Sequence, residues 1–276
     1  MKGIIVCADD FALHAGVSMG IVRLAQLKRI SATSAMVLSP GWKHEAMLLH
    51  HLRGHIDVGL HLDWTSPFAV SAGHGVSLVS AMRRSVLGGF HREQARTVIA
   101  RQLDLFETHW QATPDYIDGH QHVQQFAGIR EALVDELTCR YGHLPIKPYL
   151  RLSRARSNAG TVNFKGLVMT MMGSLALEKI ATNARLSSAR DLFGIYNFAG
   201  GTKRYAALMA RWLAQAPHGS ILMCHPSQAA DPHDVMAKAR MQEFSYMAGR
   251  EFEQALSTAG VVPTRGQQVI AGVSQE

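Results

Sequence analysis

An α/β fold with a parallel sheet, closed as a barrel or doubly wound, is what this sequence predicts. Three observations carry that expectation. Short apolar runs alternate with amphipathic stretches, no internal repeat is present, and 276 residues is a length at which strand–helix barrels form one unit. A single domain over residues 1–276 with seven or eight strands follows as the expectation.

The elements are predicted in turn. Gly3 to Ala8 is short, apolar and β-branched, so it reads as a buried strand, and Ala15 to Leu27 spaces Val17, Ile21, Leu24 and Leu27 as one helical face. Thr33 to Leu38 is the second strand, Pro40-Gly41 a turn and Trp42 to Leu52 a helix. Ile56 to Leu62 is the third strand. From Asp63 to Phe90 the pattern breaks down around Gly73, Gly75, Gly88 and Gly89, a connection longer than most and placed where a substrate-covering loop belongs. A helix from Arg92 to Trp110 leads through Pro114 into an extended stretch, Tyr116 to Val123, and a helix from Ile129 to Tyr141. Later strands are expected at Pro148 to Leu152, Leu192 to Tyr196, Ser220 to Cys224 and Val261-Val262, with helices at Leu167 to Ala181, Tyr205 to Ala214 and Arg240 to Leu256.

Composition narrows the function classes. A net charge of +7 and a pI near 9.5 invite an anionic partner, yet the basic residues form no run. Arg151, Arg154, Arg156 and Lys165 make a loose cluster without the interleaved aromatics that stack on bases, so no nucleic acid is expected and a solvated basic face is the plainer reading. The N-terminus reaches Asp9-Asp10 before an apolar stretch of signal-peptide length, and no apolar run approaches the roughly 20 residues of a membrane span, so a cytoplasmic location is the expectation. Cys7, Cys139 and Cys224 are odd in number and lack zinc-ribbon spacing, which predicts buried free thiols.

Parallel α/β folds collect chemistry at the carboxyl ends of their strands. Asp9-Asp10, His61, Asp118-His120-His122 and His225-Pro226 all fall at or just past predicted strand ends. Adjacent aspartates on a strand point to opposite faces, so Asp9 and Asp10 are expected to divide roles unless the strand has already curled. One carboxylate can bind a divalent metal while the other accepts the proton of the attacking water. His61 and His120 complete a set of two imidazoles and one carboxylate that leaves coordination positions open. In an extended DGHQHVQ segment Asp118, His120 and His122 would point the same way, so His120 and His122 compete as ligands.

Two motifs are decoys. Gly16-Val17-Ser18-Met19-Gly20 matches the serine-hydrolase pattern but lies within an amphipathic helix, whereas the nucleophile elbow needs a turn directly after a strand. His44-Glu45 has Leu48 where a zincin needs its second histidine.

The segments ADDF (Ala8 to Phe11), SAMVLSPG (Ser34 to Gly41), VGLHLDWT (Val58 to Thr65), DGHQHV (Asp118 to Val123) and MCHPS (Met223 to Ser227) together resemble the YdjC-like carbohydrate deacetylase family. The resemblance implies a distorted, TIM-like (β/α) barrel and hydrolysis of the acetyl group from an N-acetylated amino sugar, free or lipid-linked. It also implies one divalent ion, magnesium or zinc, held by Asp10, His61 and His120, with Asp9 as general base and His225 as candidate general acid. Ala12 stands where the family usually has glycine, and Gln124 where it often has histidine. Alternatives are a sugar-binding protein on the same fold without turnover and a metal-dependent hydrolase of another bond. A single-metal set with one carboxylate argues against a two-metal phosphatase.

The uncharged run GLVMTMMGSLAL from Gly166 to Leu177 is too short to span a bilayer and reads as a buried helix. Its alternative is an apolar face that contacts a lipid-linked sugar or a membrane surface, with Arg151, Arg154, Arg156 and Lys165 meeting phosphate groups. A homodimer is a further expectation.

Overall fold

In the computed structural model, which describes residues 1–155 and 173–273, seven parallel strands close into a barrel. They are β1 (Lys2–Phe11), β2 (Ala32–Ala35), β3 (Asp57–Leu62), β4 (Tyr116–Gly119), β5 (Tyr149–Ala155), β6 (Ser188–Phe193) and β7 (Ile221–Cys224). Each pairs in parallel with the next, and β1 pairs with both β2 and β7, which closes the ring. An eighth strand, β8 (Val261–Pro263), pairs with Lys2 to Ile4. Barrel, rather than doubly wound sheet, is therefore the answer. A closed ring abolishes strand edges, and the helices cover its outer face.

The helices are α1 (Ala15–Gln26), α2 (Trp42–Leu49), α3 (Pro67–Ser71), α4 (Leu78–Val86), α5 (Arg92–Trp110), α6 (Ile129–Tyr141), α7 (Ser174–Asn183), α8 (Gly201–Gln215), α9 (Ala237–Ala248), α10 (Arg250–Thr258) and α11 (Gly266–Val273). The expected single helix from Arg240 to Leu256 is two, divided at Gly249, whose backbone is extended (φ −81°, ψ 168°). Asp63 to Phe90 holds α3 and α4 instead of a structureless loop. Ser66 and Ser77 cap these helices by accepting from the first free backbone N–H groups. Of the run from Gly166 to Leu177, the residues before Gly173 lie outside the described residues, as do Arg156 and Lys165. In the described part Leu177 is buried and Leu175 exposed. Among the described residues, no helix is long and apolar enough to cross a membrane.

Strand alternation sorts side chains between two layers. Ile4, Val6 and Ala8 of β1 face the helices, while Ile5 and Cys7 face inward with Tyr116, Tyr149, Ile221 and Met223. Tyr116 and Tyr149 stack at 5.1 Å inside the ring, and the Tyr116 ring lies so close to Gly59 that a Cβ there would come within 2.6 Å of it. Cys7 and Cys224 are buried free thiols, as expected, but Cys139 is exposed on α6.

Candidate active site

Inward-facing positions become polar toward the carboxyl end of the barrel. Asp9 continues the Ile5–Cys7 row, His61 follows Gly59, Asp118 follows Tyr116, and Arg151 follows Tyr149. By alternation Asp10 would face the helices. Its backbone instead turns left-handed (φ 69°), so both aspartates line one cavity. Ala12 repeats that conformation at φ 70°, a region glycine adopts more readily than alanine.

Asp10, His61 and His120 come together, their ligand atoms all within 4.8 Å of one another. Asp10 Oδ1 lies 3.2 Å from His61 Nε2 and 3.1 Å from His120 Nδ1. Atoms this close, one carboxylate and two imidazoles, could together hold a divalent ion. His61 Nδ1 is 2.6 Å from Asp118 Oδ1, which fixes the ring and leaves Nε2 toward Asp10. Burial would lower the His61 pKa, but Asp118 and Asp10 outweigh it and raise it to about 10. Carboxylates that hold a proton on a buried imidazole make a cation-seeking site.

His122 departs from the extended-strand expectation. β4 ends at Gly119, and a tight 3-10 turn follows in which Gln121 and His122 are left-handed (φ 52° and 63°). The turn breaks the alternation, so His122 Nδ1 meets Ser153 Oγ at 2.7 Å while His120 meets Asp10. Burial, with Arg151 nearby, lowers the His122 pKa to about 3, so its ring is neutral. Gln124 Nε2 donates to Arg151 O and to Ser153 Oγ, both at 3.1 Å, tying this turn to β5.

Two buried arginines, neither of them part of a recognisable motif, organise the acids. Arg151 is not a surface cation for phosphate groups. It is 1% exposed and binds Asp9 through both nitrogens, Nη1 to Oδ1 at 2.6 Å and Nη2 to Oδ2 at 2.8 Å, with Asp118 Oδ2 at 3.0 Å from Nη2. Its position between Tyr149 and Ser153 on the inward face was the available signal, since a charge in a buried row must be paired. Arg240 donates from Nη2 to Asp10 Oδ2 at 2.6 Å. Burial would raise the pKa of each aspartate; Arg151 at Asp9 and Arg240 at Asp10 outweigh it and hold both well below the carboxylate range. Arg154 is half exposed and lies 3.7 Å from Glu178.

His225 closes the constellation from the end of β7, with Nε2 4.0 Å from Asp9 Oδ2. Its backbone N–H donates to Glu243 at 2.7 Å, and Phe198 meets its ring edge-on at 5.4 Å. Burial lowers its pKa, against the raising pull of Asp10 and Asp9. The cavity above these residues has a volume of about 400 Å³. Leu78 and Met82 of α4 form part of its wall, as expected of a covering segment, with Phe126, Tyr196, Phe198 and Met223. Ser18, the decoy nucleophile, is fully buried, accepting from Ala12 N and donating to Glu45.

The chain is 29% identical over 176 residues to a chitooligosaccharide deacetylase of Proteus mirabilis, 60% of this chain and 64% of the relative's length. It is 32% identical over 128 residues to that of Serratia marcescens, 44% of this chain and 50% of the relative. A carbohydrate deacetylase of Geobacillus stearothermophilus is 29% identical over 153 residues, 52% of this chain and 58% of the relative. The chain therefore matches between half and two thirds of these relatives' lengths. A solved structure from Enterococcus faecalis V583, provisionally named a cellobiose-phosphate cleavage protein, shares the fold. Its TM-score is 0.71 at 17% identity, covering 98% of this chain and 99% of that one. The Xyl-CE4 domain of a multidomain xylanase from the hindgut metagenome of Trinervitermes trinervoides shares it more distantly, with TM-score 0.52 at 7% identity over 99% of this chain and 91% of that domain. The YdjC-like protein family matches residues 3–258, and the chain belongs to that family.

Proposed function

We propose that this chain is a carbohydrate N-deacetylase that hydrolyses the acetamide of an N-acetylated amino sugar to acetate and free amine, with residues 1–276 acting as one unit. The observation that carries the reading is the placement of Asp9. Its ionised carboxylate lines the cavity beside the Asp10–His61–His120 group and 4.0 Å from an imidazole, His225. The names of the curated relatives support the same reading.

Asp10, His61 and His120 would hold one divalent ion. The chemistry such an ion supplies is polarisation of the acetyl carbonyl and a lowered pKa for water. Two imidazoles and one carboxylate suit zinc and its transition-row neighbours better than magnesium, which prefers oxygen ligands. Asp9, kept ionised by Arg151, accepts the proton of water as its oxygen adds to the carbonyl carbon. His225, whose buried ring is neutral at rest, takes that proton from Asp9, 4.0 Å away, and passes it to the amine as the C–N bond breaks. The one proton thus travels from water through Asp9 and His225 to the amine, and both groups end the turnover as they began. Phe126, Phe198 and Met223 offer apolar surface to the acetyl methyl and the C–H face of a sugar ring.

The test is acetate release from N-acetylated amino sugars, as free chitooligosaccharides, lipid-linked sugars and polysaccharides, with and without chelator. Release that stops with chelator and returns with zinc is the expected result. No acetate from any of the three classes would overturn the proposal.

A further inference from the structure

Asp10 uses its two oxygens differently. Oδ1 faces His61 Nε2 at 3.2 Å and His120 Nδ1 at 3.1 Å, whereas Oδ2 accepts from Arg240 Nη2 at 2.6 Å. Arg240 comes from α9, far along the chain, and is 2% exposed. A second carboxylate pairs with its guanidinium by charge, Asp234 Oδ2 lying 2.8 Å from Nε. Asp234 is itself fixed, accepting from Met236 N at 2.8 Å with His14 Nε2 3.5 Å away. The Nη2 hydrogen bond engages Asp10 Oδ2, and the ion pair with Asp234 keeps the buried guanidinium beside it, so that oxygen stays occupied.

We propose that Arg240 is a positioning residue which restricts Asp10 to presenting one carboxylate oxygen to the ion site, giving up metal affinity to keep a position open for the reaction. The claim rests on the metal-centre reading of Asp10, His61 and His120. Two physical effects support it. With both oxygens free, a carboxylate can occupy a further coordination position, one that hydrolysis needs for water or the acetyl oxygen. A buried cation beside the ligand also repels a dication and draws charge from the carboxylate, so an ion held there stays a stronger Lewis acid. A purely structural arginine has the opposite signature: its loss lets Asp10 drift and weakens metal binding.

The experiment measures zinc affinity by competition with a chromophoric chelator, without substrate, in the wild type, His61→Ala, Arg240→Gln and Arg240→Lys. Thermal melts confirm folding. One zinc bound by wild type and lost in His61→Ala tests the centre itself, so its failure is separate from failure of the role of Arg240. Arg240→Gln removes the charge and is expected to bind zinc about tenfold more tightly or better. Its kcat for acetate release should fall by about 10- to 100-fold with KM little changed. Arg240→Lys keeps the charge but not the fork, so its affinity should return toward wild type and its kcat should lie between the other two. Weaker or unchanged zinc binding in folded Arg240→Gln would overturn the proposal. Should that variant not fold, an undiminished kcat in Arg240→Lys would do so.

Discussion

Arg151 offers the most stringent test of the charge arrangement. Replacing it with methionine keeps much of its volume and leaves Asp9 and Asp118, with side chains 3% and 0% exposed, without their cation. Three contacts at 2.6, 2.8 and 3.0 Å are lost. Stripping one partner from a buried ionic group costs about 3–5 kcal/mol. For a chain of this size that is a fall in Tm of about 6–20 °C. The cost should depend on pH. In the native protein Asp9 is held well below its ordinary value of 3.8, because Arg151 outweighs the opposing effect of burial. Stability from that pair is present above the ordinary value and is lost as pH falls through the depressed one. In Arg151→Met burial, the largest influence on Asp9, is opposed only by His61 and His225, so the carboxyl is expected to rise above its unfolded value, with stability present at low pH and lost as pH rises. The gap in Tm between the two proteins should therefore widen from pH 5 to pH 8. Thermal unfolding by circular dichroism across that range measures it, and a shift under about 2 °C without pH dependence would refute the reasoning.

The two aspartates should separate by assay. Asp9→Asn is expected to keep zinc affinity and lose about a hundredfold to ten-thousandfold in kcat, because an amide accepts no proton at neutral pH; full activity would remove Asp9 as base. Asp10→Asn should weaken zinc binding, measured by the same chelator competition. His61→Ala should abolish both metal binding and acetate release while its far-ultraviolet spectrum stays native, and retained metal would move the ion elsewhere. At the other end of the barrel, burial and then Asp57 raise the Asp115 pKa from 3.8 to about 6, so the stability this group contributes is present below pH 4 and lost as pH rises through 6. Asp115→Asn, whose amide oxygen can still accept from Val58 N, should be about 1–3 kcal/mol more stable than wild type at pH 8 and no more stable at pH 4, by urea unfolding.

Much of this arrangement is written locally. The short, largely apolar runs at Ile4 to Val6 and Val58 to Leu62 mark barrel strands because such a run needs only neighbouring residues to be visible. The helices Arg92–Trp110 and Ile129–Tyr141 fall where their periods predict. Acids and imidazoles at the strand ends point to the candidate site, and the ADDF, GLHL, DGHQH and CHP segments mark the family. Tertiary structure alone decided the rest. That Asp10 joins Asp9 in one cavity depends on a left-handed residue without glycine to announce it. His120 reaches Asp10, while His122 turns to Ser153, because the chain leaves β4 at Gly119, which strand alternation could not foresee. Arg151 lies 142 positions from Asp9, and Arg240 lies 230 from Asp10. Such pairs carry no local period or spacing. They exist only because closing the ring brings distant strand ends together, where burial requires each charge to find its opposite.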